Sequence, residues 1–170
     1  MPLRHPTDIP KIPKTRKKKP HAALEAIPAK KPDKLEYYCK AFYKYDAKKH
    51  KQFLAFAIET SVEFTAFAYE VSLEVIQEKN VINLVVMGLK AIMDSVPKVM
   101  PARNEVLFDV LFGDYTINVV KQDGAINTGE FHFNIYKKEI QLIKQYKPKK
   151  KNNRLFCEFQ VAQEEFTFPE

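Results

Sequence analysis

Five glutamates, Glu59, Glu63, Glu70, Glu74 and Glu78, recur at intervals of 4, 7, 4 and 4 residues. Carboxylates so spaced suit a basic protein surface, or, if histidines join them, a carboxylate-bridged metal pair. The four histidines, His5, His21, His50 and His132, do not join them: two fall in the N-terminal segment, one in a lysine run and one on a separate strand. No Glu-x-x-His pair occurs, so no metal is expected, and the row reads as a solvated face able to bind other protein chains. Cys39 and Cys157 are too few and too far apart for a disulfide framework or a metal clip. They read as two buried thiols in a reducing, intracellular compartment. Ser61, Ser72 and Ser95 sit in or at the ends of expected helices, away from any Gly-x-Ser-x-Gly turn, while Asp109 and Asp114 flank a hairpin as turn and edge residues. With only four glycines there is no phosphate-cradling loop. No catalytic constellation or cofactor is visible, and a non-enzymatic role is expected.

Positive charge is the second chemistry on offer. Residues 1–51 hold fifteen Lys/Arg against five Asp/Glu, and residues 52–170 hold thirteen against sixteen, so the chain's formal charge of +7 conceals a cationic start and a mildly acidic body. Lys11, Lys14, Arg16, Lys17, Lys18 and Lys19 stand in the first region. Lys147, Lys149, Lys150, Lys151 and Arg154 stand in a later loop, and Lys137, Lys138 and Lys144 precede it with the single acid Glu139. Cations gathered this way release counterions when they meet phosphates, which gives salt-sensitive affinity without sequence specificity. No zinc finger, RNP, KH or helix-turn-helix signature accompanies them. Lys40 and Lys44 also alternate with Tyr37, Tyr43 and Tyr45, a mixture found in single-strand grooves, although an amphipathic segment docking its rings on a core has the same composition. KTRKKKP fits a nuclear-localisation signal if the source has a nucleus. The expected partner is nucleic acid or a ribonucleoprotein surface; the alternative is a structural or adaptor subunit whose tail and acidic row bind other chains.

The elements that must position these residues follow from periodicity. Residues 1–32 carry seven of the eleven prolines and few large apolar residues, so they read as a disordered basic tail ahead of a single α+β domain over 33–170. No secretory signal or membrane span is expected, since no apolar run approaches the roughly 20 residues a span requires. Asp33 with Glu36 resembles a capping box, which points to a short helix up to Asp46, with a strand as the alternative. From Gln52 to Glu78 the glutamates fall within roughly a 100° arc of one helix, and their parity changes between Glu63 and Glu70, which argues against one strand. A long central helix is predicted here, capped by Asp46 or starting nearer Gln52, where lysines crowd its positive end. A second helix follows over 81–95, ended by Pro97, with one bent helix as the alternative.

Beyond that the period becomes two. Val106, Phe108, Val110 and Phe112 share a face; Gly113-Asp114 and Asp123-Gly124 read as hairpin turns; Phe131, Phe133 and Ile135 point inward against His132 and Asn134. EIQLIKQY fits strand or helix, and Leu155, Cys157, Phe159 and Val161 alternate with Phe156, Glu158 and Gln160. The expected fold is two helices packed on an antiparallel meander of about four or five strands.

Overall fold

The structure, a computed structural model, describes residues 32–93, 96–150 and 152–170. The expected tail, up to residue 31, lies outside them. The described residues form nine strands: β1 Tyr37–Asp46, β2 Lys51–Phe64, β3 Tyr69–Glu78, β4 Val81–Ala91, β5 Met100–Asp109, β6 Gly113–Lys121, β7 Ile126–Asn134, β8 Glu139–Gln145 and β9 Cys157–Val161. A 3₁₀ turn, Gln163–Glu165, follows. Among the described residues there is no α-helix, and none long and apolar enough to cross a membrane.

The α+β expectation is therefore overturned, and the long central helix with it. Residues 52–78 form two strands joined by a bend at Thr65–Ala68. A spacing of four residues satisfies a period of 3.6 and a period of 2 alike. Only the seven-residue step from Glu63 to Glu70 breaks strand parity, and the bend resets parity at that step. The wide apolar arc has a different cause from helix coverage: from Phe53 to Ile58 every residue of β2 is buried, because the strand is covered on both faces. β-branched and aromatic residues throughout 53–86 favour such a pleated, buried strand. The second predicted helix is β4, paired with β3 across a tight turn in which Lys79 takes φ 52. The segment up to Asp46 is β1. Asp46 does cap, but it caps a turn: its Oδ1 accepts the amides of Lys48 and Lys49 at 2.9 and 3.1 Å, and His50 at φ 49 completes the reversal.

Two mixed sheets stack, in strand orders β5-β2-β1-β9 and β3-β4-β6-β7-β8. The expected meander survives only in β6, β7 and β8, with the Asp123-Gly124 turn in place at Gly124 φ 88. Gly113-Asp114 is not a hairpin turn. The chain leaves β5 in the first sheet and enters the second at Gly113, whose φ of 95 a residue with a Cβ adopts only under strain. There β6 lies parallel to β4, and β9 returns parallel to β1.

Between the sheets Phe56 is the central ring. It meets Phe108, Phe131 and Phe133 edge-on at centroid distances of 5.8, 6.0 and 6.0 Å, while Phe131 and Phe133 stack on each other at 5.8 Å. The outer face of the first sheet carries a smaller cluster of Phe42, Ala55 and Ala57 under Ala162 and Phe166. The C-terminal segment reaches it by continuing along β1, where the Ala162 and Thr167 amides donate to the Ala41 and Tyr43 carbonyls.

Gly129 on β7 lies against Phe159 of the first sheet: a Cβ there would lie 2.9 Å from the ring. Overpacking of this kind costs about 1–3 kcal/mol. Gly129→Ala is expected to lower the urea midpoint with the m-value unchanged, and an unshifted midpoint would mean that Phe159 does not pack there.

Candidate nucleic-acid interface

Cations on the first sheet are largely committed. On its outer face Arg103 donates to Glu59 (2.9 Å), Glu105 (3.1 Å) and Glu165, Lys40 pairs with Glu59 at 3.3 Å, and Lys44 pairs with Glu105 at 2.6 Å. Burial pushes the Glu105 carboxyl up, but Lys44 and Arg103 outweigh it and hold the group below the usual range. These contacts remove the single-strand groove suggested by Lys40, Lys44 and their neighbouring tyrosines. Tyr43 is fully buried, its hydroxyl donates to the Glu139 carbonyl at 3.1 Å, and burial pushes its phenol up to about 12.

A second network sits where the two sheets meet. Glu36 Oε2 accepts from Lys121 Nζ at 2.7 Å and from Arg154 Nη2 at 3.0 Å, with Asp123 3.6 Å from the same guanidinium nitrogen. Of the basic residues singled out by sequence, Arg154 is thus turned inward: its side chain is 10 % exposed. Lys147, Lys149 and Lys150 lie exposed in the β8–β9 connection, with no ion pair among the described residues. Lys11, Lys14, Arg16, Lys17, Lys18, Lys19 and Lys151 lie outside the described residues.

The acidic row is dispersed. Glu59 belongs to the Arg103 network, Glu63 is exposed near the end of β2, and Glu70, Glu74 and Glu78 lie on β3 in the other sheet, opposite Lys90, Val85 and Val81. Cys39 and Cys157 are both buried and free, and burial pushes each thiol far above its ordinary range, which leaves them poor nucleophiles. Among the described residues no three His, Cys, Asp or Glu side chains cluster as a metal site.

The exposed rings, which composition did not single out, lie on the second sheet beside a lysine group that it did. Lys137 and Lys138 in the β7–β8 turn and Lys144 on β8 are exposed without an ion pair among the described residues; Glu139 is the acid in their midst. β8 spans seven residues, so the lysines of the β7–β8 turn and those beyond Tyr146 stand roughly 20 Å apart. Exposed rings accompany them. Tyr136 at the turn is 88 % exposed, and Phe112 is 58 % exposed. Their centroids lie 5.9 Å apart, and His132 follows 6.5 Å from Phe112. Tyr146 lies under Lys144 Nζ at 4.4 Å and donates its hydroxyl to Glu130. On the same sheet lies a half-open groove of about 480 Å³, lined by Asn80, Asp114, Thr116, Glu130 and Ile143 among others and by none of these exposed rings or lysines. In the sequence the signal was Tyr136 directly before Lys137-Lys138 in a turn, where no packing role calls for a ring.

Comparison with protein-family models, with curated proteins and with solved structures finds no match to this chain.

The Glu36 network has a pH signature. Burial raises this carboxyl, but the hydrogen bonds and charges of Lys121 and Arg154 outweigh it and lower it from 4.5. A carboxyl depressed by folding stabilises the protein above its unfolded pKa, and the contribution is lost as pH falls through the folded value. Thermal unfolding followed as pH is lowered below about 4.5 should show a falling Tm. Glu36→Gln should start lower at neutral pH and fall less steeply, because only the other depressed carboxyls, Glu105 and Asp46 among them, retain their share. Parallel declines in the two proteins would remove Glu36 from the account.

Proposed function

We infer that this is a non-enzymatic binding protein whose basic segments contact nucleic acid or a ribonucleoprotein surface without strong sequence specificity. The observation that carries the reading is the contrast in charge pairing: cations of the first sheet and of the Glu36 network have acid partners, whereas Lys137, Lys138, Lys144, Lys147, Lys149 and Lys150 have none among the described residues and share their region of the surface with exposed rings. Lys147, Lys149 and Lys150 contact phosphates on the folded domain, Lys137, Lys138 and Lys144 extend the track, and Lys11, Lys14, Arg16, Lys17, Lys18 and Lys19 with Lys151 add charge from the basic segments. Arg154 serves the fold in this reading, not the ligand.

The experiment is filter binding across a salt series. Affinity should fall steeply with salt and weaken when residues 1–32 are deleted. Replacing Lys147, Lys149 and Lys150 together with alanine should make the slope of log affinity against log salt shallower by about two, since each single-strand phosphate contact contributes about 0.7. Binding indifferent to salt, or to both changes, would end this reading.

A second reading, a subunit of a protein assembly, is favoured by one other feature. Val62, Phe67, Leu89, Met93, Val96 and Val99 are all exposed where the ends of β2 and β4 meet the starts of β3 and β5, and apolar groups massed at one pole mark interaction surfaces. Light scattering on the nuclease-treated protein decides it. A defined oligomer would support this reading, and a monomer at all concentrations would remove it.

A further inference from the structure

We propose that the outer face of the second sheet, from Tyr146 to the Phe112–Tyr136 pair, is a stacking platform for unpaired bases, so that the ligand class is single-stranded nucleic acid and not duplex. The proposal rests on the nucleic-acid reading above and narrows it.

Register places the participants in successive rows across the strands. Asp114 faces His132, Thr116 faces Glu130 beside Lys144, and Asn118 faces Thr128, whose carbonyl accepts the Tyr146 amide. Alternate residues of a strand share a face, so these side chains lie together on the side away from the core. The ring row closes one end. The turn that presents Tyr136 is fixed: Lys137 N–H donates to Asn134 Oδ1 at 3.2 Å, Lys138 N–H donates to the Ile135 carbonyl at 3.0 Å, and Lys138 takes φ 55. Tyr136 and Phe112 meet edge-on at 63°. That geometry sets the edge of one ring toward a face of the other, and both residues remain largely exposed.

Exposed faces beside unneutralised lysines are what a flexible strand recognises, with bases stacking on rings and phosphates on ammonium groups. A duplex buries its base faces against one another and offers the rings nothing to stack on. The acids of the groove reinforce the polarity. Glu130 accepts from the Tyr146 hydroxyl, and Asp114 lies 2.6 Å from His132 Nδ1. Carboxylates there repel phosphates toward the lysine edge.

The test measures anisotropy of labelled oligothymidylate, oligouridylate and a duplex of equal length with the full chain, its Phe112→Ala/Tyr136→Ala variant and its Lys147→Ala/Lys149→Ala/Lys150→Ala variant. The replaced rings are exposed, and matching circular dichroism confirms that the variants fold. The wild type should bind a single strand at least tenfold tighter than duplex. Loss of the two rings should weaken single-strand binding about tenfold or more with the salt slope unchanged, while loss of the lysines should change the slope. Preference between the thymidylate and uridylate probes separates DNA from RNA as the source of the strand. Equal single-strand and duplex affinity, or ring variants that bind like wild type, would overturn the platform while leaving lysine-driven binding intact. Absence of salt-dependent binding to every probe would overturn both.

Discussion

Strand β9 has a partner on one side only, and the structure depends on how its other side is satisfied. Its pairing with β1 is parallel, so alternate amides point away from that neighbour. Those of Cys157 and Phe159 meet side-chain carboxamides, not backbone. Cys157 N–H donates to Asn127 Oδ1 at 2.8 Å, and Phe159 N–H donates to Gln145 Oε1 at 3.0 Å. Both carboxamides are used at the other end too: Asn127 Nδ2 donates to the Arg154 carbonyl at 2.9 Å, and Gln145 Nε2 donates to the Phe159 carbonyl at 3.2 Å. Two side chains thereby substitute for a strand and hold the edges of the sheets together. A buried amide left unpaired costs about 1–3 kcal/mol, so losing either carboxamide opens this seam.

The seam also determines where charge can go. With Gln145 held against Phe159 and Arg154 held against Asn127, the described residues between them form a surface connection, and Lys147, Lys149 and Lys150 in it face water. Arg154, at the end of that connection, is drawn inward by Glu36 and Asp123, where it lies 5.8 Å from the Phe156 ring beneath it. Positive charge on this domain is thus divided by the fold into a share that joins the sheets and a share exposed to solvent. The division is sharper than the net charge implies.

Legibility in the sequence followed the same physics. The strands with one face in the core read clearly: Phe131 and Phe133 are fully buried, and Cys157 and Phe159 nearly so, as alternation requires. Strands covered on both faces did not: in β2 Leu54, Phe56, Ile58, Val62 and Phe64 alternate locally, but the residues between them are also apolar up to Ile58, and the glutamates sit at a spacing shared by helix and strand. Phe156 fell on the polar side of the alternation yet is fully buried, capped by Lys121 and Arg154, whose approach depends on residues far away in the chain. Pairing was invisible for a related reason. Nothing local distinguishes a strand that turns back on its neighbour from one, like β5, that ends in a crossing to the other sheet. The lysine cluster of residues 137–154 was legible as composition, whereas the exposed rings beside it and the inward turn of Arg154 required three dimensions.

Hydrogen exchange at the Cys157 and Phe159 amides tests the seam most directly, because neither is protected by a backbone ladder on that side. The account predicts exchange as slow as that of the central strand β1 in the intact chain, and marked acceleration at Phe159 when Gln145 is replaced by alanine. Exchange of both amides in the intact chain at the rate of open loop backbone would contradict it, since the sheets would then not be joined along this edge and the lysine connection would have no fixed place.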